Sequence, residues 1–130
     1  MKELHPHAPN VLIDRYIAAY NAFDIDGMLA LLTPDIRFEN YSGGQLTVAA
    51  KGIDEFRQLA QQSKDQFSER EQRIIALRFD SDTAVADIAY RGRLAADIPG
   101  GPAAGTLLEL NGESEFAFRD GRIATIIDRS

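Results

Sequence analysis

The sequence has no cysteine, no tryptophan and only two histidines. Without cysteine the chain forms no disulfide and offers no thiolate as nucleophile or metal ligand. His5 and His7 lie near the start of the sequence, and no third metal ligand accompanies them. A protein zinc site uses three or four ligands, so we interpret both histidines as solvated. We expect neither a metal nor a cofactor.

A surplus of basic residues is also lacking, since 20 acidic side chains face 14 basic ones and the net charge is -6. Nucleic acids and anionic membrane surfaces attract basic proteins, so we expect neither as a partner. No apolar run approaches the roughly 20 residues that cross a bilayer. The opening residues MKELHPHAPN have no apolar signal core. The sequence therefore predicts a cytoplasmic protein.

The 130 residues and the 45% hydrophobic content are typical of one globular domain. We predict a single domain over residues 1–130, with residues 1–10 as an irregular lead-in. Apolar residues spaced by three and four predict helices near 11–23, 25–32 and 53–64. Asp24 is the expected N-cap of the second helix, and Thr33-Pro34-Asp35 is expected to end it.

Alternating apolar and polar residues predict strands in the rest of the chain. The segment QQSKDQFSER is interpreted as a solvated helix end and loop, and DIPGGPAAG as a hairpin loop rather than a phosphate loop. Asp120-Gly121 lies between two alternating runs and is a strong hairpin signal. The expected strands are near 36–41, 46–50, 72–79, 83–96, 106–118 and 123–128. Helices that precede a run of strands predict an α+β fold with helices on one face of a curved sheet.

Two stretches carry a recognisable pattern, RYIAAYNAFDIDGMLALLTPDIRFEN and FAFRDGRIATIID, and Lys51-Gly52-Ile53 begins a Gly-led third helix. In this order they resemble the nuclear transport factor 2-like superfamily, and most closely its SnoaL-like polyketide cyclase and ketosteroid isomerase branch. The resemblance implies a cystatin-like α+β barrel, in which a cone-shaped, curved antiparallel or mixed sheet wraps around three helices. It also implies an apolar pocket for a small hydrophobic molecule and a homodimer formed through the outer sheet face.

The pattern places Tyr16 and Asn40 among apolar positions, so we expect both to face one interior cavity. By the resemblance, Tyr16 occupies the position of the isomerases' oxyanion-hole tyrosine. Asn40 and Ser114 stand where the family keeps functional aspartates. An amide cannot remove a proton from carbon at neutral pH, and a serine hydroxyl needs a base to do so. At the matching positions the sequence therefore lacks the two acids that ordinary ketosteroid isomerisation uses.

Strand alternation predicts that Ser114 shares the inward face with Phe116 and Phe118. The family comparison adds Ile126 and Asp128 to that face, which makes Asp128 the remaining candidate for a general acid or base. Near apolar walls its pKa would rise. The alternative is a carboxylate that is solvated or paired with Arg122 or Arg129. Related epoxide hydrolases of the superfamily activate water with interior acids beside a tyrosine and an asparagine.

The catalytic candidates are thus Tyr16, Asn40 and Asp128. Tyr16 would stabilise negative charge, Asn40 would orient substrate or water, and Asp128 would carry the proton. Each has an alternative role in structure, with Asn40 bonded to Tyr16 or to loop backbone. The predicted ligand contacts are Tyr20, Phe38, Phe56, Tyr90, Ser114 and Phe116. Two functions stay open: a cofactor-free isomerase, cyclase or epoxide hydrolase-like enzyme, or a non-catalytic ligand-binding or assembly module.

Overall fold

A computed structural model describes residues 8–130 of the chain. Nine elements follow one another in the order helix, helix, strand, strand, helix and four strands. The two histidines, His5 and His7, lie outside the described residues. The elements are α1 Pro9–Asn21, α2 Ile25–Leu29, β1 Leu32–Ser42, β2 Gln45–Lys51, α3 Ile53–Gln66, β3 Phe67–Asp80, β4 Thr83–Leu94, β5 Leu107–Arg119 and β6 Arg122–Arg129.

The six strands form one mixed sheet in the order β2-β1-β6-β5-β4-β3. β1 and β6 run parallel, and every other neighbouring pair is antiparallel. The sheet curls around the helices, which confirms the predicted α+β cone. The apolar stripe of α1 is buried against the inner sheet face, since the buried core holds Ile13 of the helix together with Ile36, Phe116 and Ile126 of the sheet. That face is therefore the interior of the cone.

The first two helices lie close to their predicted positions. α1 begins at Pro9, two residues before the prediction, because proline is well placed in the first turn, where its missing N–H costs nothing. The Asp24 carboxylate accepts a hydrogen bond from the Gly27 backbone N–H at 3.0 Å, which confirms the predicted N-cap. These contacts fix the tight turn that joins α1 to α2.

The predicted end of the second helix was wrong. α2 stops at Leu29, and β1 already includes Thr33 and Pro34. Pairing between β1 and β6 is interrupted between Leu32 and Arg37, so proline lies where no ladder hydrogen bond is required of it. Its position after an apolar run suggested a helix end, but the same proline fits an irregular strand.

The loop predicted for QQSKDQFSER was also wrong. α3 continues to Gln66, and β3 begins at the next residue, with no connecting loop. The start of β3 was not recognised because of Arg70. This residue is only 6% exposed and occupies a core-facing position that is usually taken by an apolar residue. A polar side chain that faces inward hides the alternation from which strands are recognised.

Tight turns join two pairs of strands, and the predicted Asp120-Gly121 turn is confirmed. Gly43 and Gly44 join β1 to β2 with φ of 58° and 80°. Asp120 and Gly121 join β5 to β6 with φ of 54° and 73°. Positive φ at both central residues is the geometry that suits the twist of paired strands, and glycine adopts it without strain. Residues 95–106 form the predicted loop between β4 and β5.

Candidate functional site

Asp128 and Ser114 lie opposite each other on β6 and β5, with both side chains on the inner face. The Ser114 hydroxyl, which is 6% exposed, donates a hydrogen bond to Asp128 Oδ1 at 2.6 Å. Strand alternation predicted this inward position for Ser114, and the family resemblance predicted it for Asp128. The contact occupies one carboxylate oxygen and leaves Oδ2 without a hydrogen-bond partner in the described part of the chain.

The Asp128 carboxylate is partly buried and has no cation beside it among residues 8–130. Burial raises the pKa of Asp128 to about 6, and the Ser114 hydrogen bond acts in the opposite direction. The alternative of a salt bridge to Arg129 was wrong, because that guanidinium lies 3.2 Å from both Glu113 and Glu115. Successive strand residues point to opposite faces, so Asp128 and Arg129 cannot meet.

Tyr16 lies deep in α1, is 5% exposed and packs edge-on against Phe116 with ring centroids 6.1 Å apart. Burial raises the pKa of Tyr16 well above its ordinary value, and the nearby Asp128 charge raises it further. The phenol is therefore neutral at pH 7 and can donate its proton. No hydrogen bond joins this hydroxyl to another group within the described residues, so its donor is available to a ligand.

Asn40 is aligned with Asp128 on the neighbouring strand, and the pair therefore shares the inner face. Its Nδ2 donates to Thr47 Oγ1 at 2.8 Å, across the β1–β2 hairpin. The alternative in which Asn40 bonds Tyr16 was wrong, because the amide is turned toward β2. A catalytic role for Asn40 stays a prediction.

A second cluster of polar side chains, Tyr20, Tyr90 and Arg70, lies farther along the inner face. The Tyr20 and Tyr90 hydroxyls are 3.2 Å apart, and their rings pack edge-on at 6.3 Å. Burial raises the pKa of Tyr90 strongly. Arg70 stacks on the Tyr20 ring at 3.7 Å and donates from Nε to the Tyr20 carbonyl at 3.0 Å. The sequence analysis missed Arg70. Arg70 lies two residues before Gln72 and therefore on the same inward face of β3, and this alternation could have identified it.

Three predicted ligand contacts are packed in the core. Phe116 is 0% exposed, Phe56 is 3% exposed, and Phe38 packs edge-on against Phe56 at 5.7 Å. These rings support the polar residues and give the inner face its apolar character. Direct contact of any of them with a ligand stays a prediction.

Two surface depressions lie away from these residues. One, of about 290 Å³, lies on the outer sheet face and is lined in part by Glu39, Tyr41 and Arg129. The other, of about 280 Å³, lies between α2 and α3. Neither depression is lined by a predicted site residue, so the candidate site rests on the inner-face polar residues themselves.

Within residues 8–130, no group of three or more potential ligands is arranged to hold a metal ion. The helices of the same residues are too short or too polar to traverse a bilayer.

The comparisons with known proteins agree with this architecture. The SnoaL-like domain profile matches residues 13–126, and the chain belongs to this family. A proposed polyketide cyclase from Xanthomonas campestris pv. campestris is 24% identical, with a TM-score of 0.81 over 93% of this chain and 88% of that one. TsrD from Streptomyces laurentii is 25% identical, with a TM-score of 0.76 over 97% and 90%. None of the curated proteins matches the sequence.

A third similar structure shares less sequence. It is a protein from Catenulispora acidiphila with a ketosteroid isomerase-like fold, in complex with trimethylamine. It is 14% identical, with a TM-score of 0.74 over 90% of this chain and 82% of that one. At this level of identity the likeness establishes the fold alone. The family match over residues 13–126 is what confirms the predicted SnoaL-like branch.

Proposed function

We propose that the chain binds a small hydrophobic molecule against the inner sheet face and moves a proton on it through Asp128, without a cofactor. The observation that carries this proposal is the 2.6 Å Ser114–Asp128 pair, in which a partly buried carboxylate has no neighbouring cation. A structural carboxylate in such a place is usually neutralised by a cation, whereas a general base needs a pKa near the working pH.

The residues have separate roles in this proposal. Asp128 Oδ2 accepts a proton from the ligand or returns one to it, while Ser114 holds Oδ1 and fixes the carboxylate plane. The neutral Tyr16 phenol donates a hydrogen bond to the oxygen on which negative charge develops. Asn40 contributes an amide oxygen for orienting the ligand or a water molecule. Isomerisation, cyclisation and epoxide hydrolysis all need this kind of proton transfer.

A fused-ring ketone tests the proposal without knowledge of the natural substrate. In deuterated buffer, Asp128 would remove an acidic C–H proton from 2-tetralone and return a deuteron, which proton NMR follows as loss of signal. We expect exchange to accelerate as the pH rises through about 6, because the carboxylate is the active form. Asp128→Asn should slow exchange about 100-fold or more.

Glu109→Gln is the matched control, since it makes the same change on an exposed side chain of the same sheet. Its exchange rate should equal that of the unaltered protein. Equal rates for Asp128→Asn and the unaltered protein would contradict the proposal, and so would exchange no faster than in buffer.

A non-catalytic binding or assembly module is the second candidate. It is favoured by Asn40 and Ser114, which stand where the family's chemistry uses acids, and by the Asn40 amide already bonded to Thr47. In that case Asp128 would bind a ligand without transferring its proton. Ligand binding without any 2-tetralone exchange would support this candidate.

We also infer a homodimer through the outer sheet face, as the resemblance implies. The outer sheet face carries networks of ion pairs, such as Arg129 with Glu113 and Glu115, that suit a polar interface. Analytical ultracentrifugation tests this point. The single-domain assignment of residues 1–130 and the cytoplasmic location stay predictions.

A further inference from the structure

Gly112 lies on the inner face of β5, two residues before Ser114 and opposite the buried Ile88 of β4. A Cβ atom at this position would lie 2.5 Å from the Arg129 carbonyl oxygen of β6. Cβ atoms in proteins essentially never come within 3.0 Å of another heavy atom, so any other residue here would force a strand to move. The φ of Gly112 is not in the left-handed region, so the position needs glycine for its small size.

The end of β6 is held from its other side by β1. The Ser130 N–H donates to the Tyr41 carbonyl at 3.0 Å, and the Gly43 N–H donates to the Ser130 carbonyl at 3.1 Å. The strand end therefore lies between two hydrogen bonds to β1 and the bare backbone of Gly112. A methyl group on Gly112 would displace the Arg129 carbonyl by about half an ångström or more, which these two hydrogen bonds resist.

Asp128 immediately precedes Arg129, so such a displacement reaches its carboxylate. The Ser114 hydroxyl donates to Asp128 Oδ1 at 2.6 Å, across the same pair of strands. A hydrogen bond from a hydroxyl to a carboxylate is strong at this length and weakens as it lengthens. The space at Gly112 and the contact at Ser114 thus depend on the same separation between β5 and β6.

We propose that Gly112 is a positioning residue for Asp128: because it has no side chain, β6 lies close enough to β5 for Ser114 to hold the carboxylate. The catalytic consequence of this inference rests on the proposed function, whereas the positioning itself does not. A larger residue at position 112 would leave the carboxylate on the inner face but would loosen its hydrogen bond to Ser114.

The proton affinity of Asp128 reports on this positioning. Burial raises the pKa of Asp128, and the Ser114 hydrogen bond lowers it. The aligned residues on the two neighbouring strands, Asn40 and Ser114, carry no charge. Tyr16 of α1 stays neutral, because burial raises its pKa well above the ordinary value. A weakened Ser114 hydrogen bond should therefore raise the pKa of Asp128.

Carbon-13 NMR of the aspartate carboxyl groups measures this titration directly. In Gly112→Ala the midpoint for Asp128 should rise from about 6 by roughly 0.5 pH unit or more, because a hydrogen bond to a charged group is weakened. Ser114→Ala removes the hydroxyl and should raise the midpoint at least as far. The double variant Gly112→Ala/Ser114→Ala should match Ser114→Ala, since no hydrogen bond remains to be lengthened.

Gly92→Ala is the matched control, since it adds the same methyl group to the inner face of β4. There a Cβ atom would lie 2.8 Å from the Phe67 ring and 3.1 Å from the Tyr90 hydroxyl, so it crowds side chains and not the β6 backbone. The Asp128 midpoint should stay unchanged. If Gly112→Ala folds poorly, Gly112→Ala/Ser130→Pro gives a second measurement, because proline lacks the N–H that bonds Tyr41 and the end of β6 can then yield.

The outcomes separate this inference from the proposed function. An unchanged or lowered Asp128 midpoint in Gly112→Ala would overturn the inference, and so would an equal rise in Gly92→Ala. Failure of both Gly112 variants to fold would also overturn it, because Gly112 would then serve the fold as a whole. Failure of the proposed function alone would show as absent 2-tetralone exchange while the Gly112→Ala midpoint still rises. When both hold, the pH of half-maximal exchange should rise together with the NMR midpoint.

Discussion

The two faces of the sheet treat charge in opposite ways. On the outer face Arg129 lies 3.2 Å from Glu113 and Glu115, and Arg78 lies 3.3 Å from Asp87. On the inner face Asp128 and Arg70 are each without an ion-pair partner in the described residues. Asp128 and Arg129 are neighbours in sequence, so alternation alone places them in these different settings.

The difference between the two faces indicates which charged residues are not required for the stability of the fold. Exposed pairs form in water at little cost and contribute little. A buried charge without an ion-pair partner loses hydration and gains no Coulomb energy in return, so only its hydrogen bonds and ring stacking can offset that cost. Charges retained on the inner face in spite of that loss are the ones to examine for function. The following changes measure the contrast in free energy of unfolding.

Arg70→Met should have the largest effect, a loss of about 3 kcal/mol in the free energy of unfolding. The substitution keeps an apolar stem but removes the hydrogen bond to the Tyr20 carbonyl and the stacking on two rings. Urea denaturation measures it, with Arg91→Met on the exposed side of β4 as control. A loss below about 0.5 kcal/mol would contradict the structural role given to Arg70.

Asp128→Asn should stabilise the fold at neutral pH. Because the folded pKa of about 6 lies above the ordinary 3.8, protonation of Asp128 stabilises the folded state. That contribution is present below the ordinary pKa and is lost as the pH rises through about 6. The neutral amide avoids this loss, so the variant should gain about 2 kcal/mol above pH 7.

The gain from Asp128→Asn should shrink as the pH falls and vanish near pH 4, which thermal or urea unfolding at several pH values can follow. Ser114 can still donate to the amide oxygen, so the substitution leaves that contact in place. A variant less stable than the unaltered protein at pH 8 would show that the carboxylate is compensated by a group that the described contacts do not include.

Arg129→Ala should have the smallest effect, a loss below about 1 kcal/mol. The guanidinium contacts two glutamates but is partly exposed, so water and salt weaken the attraction. Urea denaturation in low and high salt should give a smaller loss in high salt. A loss larger than that of Arg70→Met would reverse the proposed contrast between the faces.

Much of the fold could be predicted from the sequence because its signals are local. The Asp24 cap and the Asp120-Gly121 turn each depend on a few adjacent residues, and both were confirmed. The wrong predictions concern segments whose structure depends on residues that are distant in the sequence. Pro34 is tolerated in a strand because the ladder to β6 is interrupted there, and no local pattern reports that interruption.

The candidate site divides in the same way. Strand alternation correctly placed Ser114 inward, and the family comparison added Asp128, but their 2.6 Å hydrogen bond depends on the register between two strands. Arg70 was missed because its burial comes from contacts with α1, some 50 residues earlier in the chain. Asn40 was assigned to the correct face, but its bond to Thr47 depends on an irregularity in the β1–β2 pairing after Asn40.

The parallel pairing of β1 with β6 also has a consequence for how the chain folds. Leu32 of β1 pairs with Ile123 of β6, so this contact closes a loop that contains most of the chain. Without this contact the sheet consists of two separate ribbons, β1–β2 and β3–β4–β5–β6. Closing so long a loop is entropically costly and slows folding. β6 carries Asp128, so the contact that joins the two ribbons also places Asn40 of one ribbon beside Asp128 of the other.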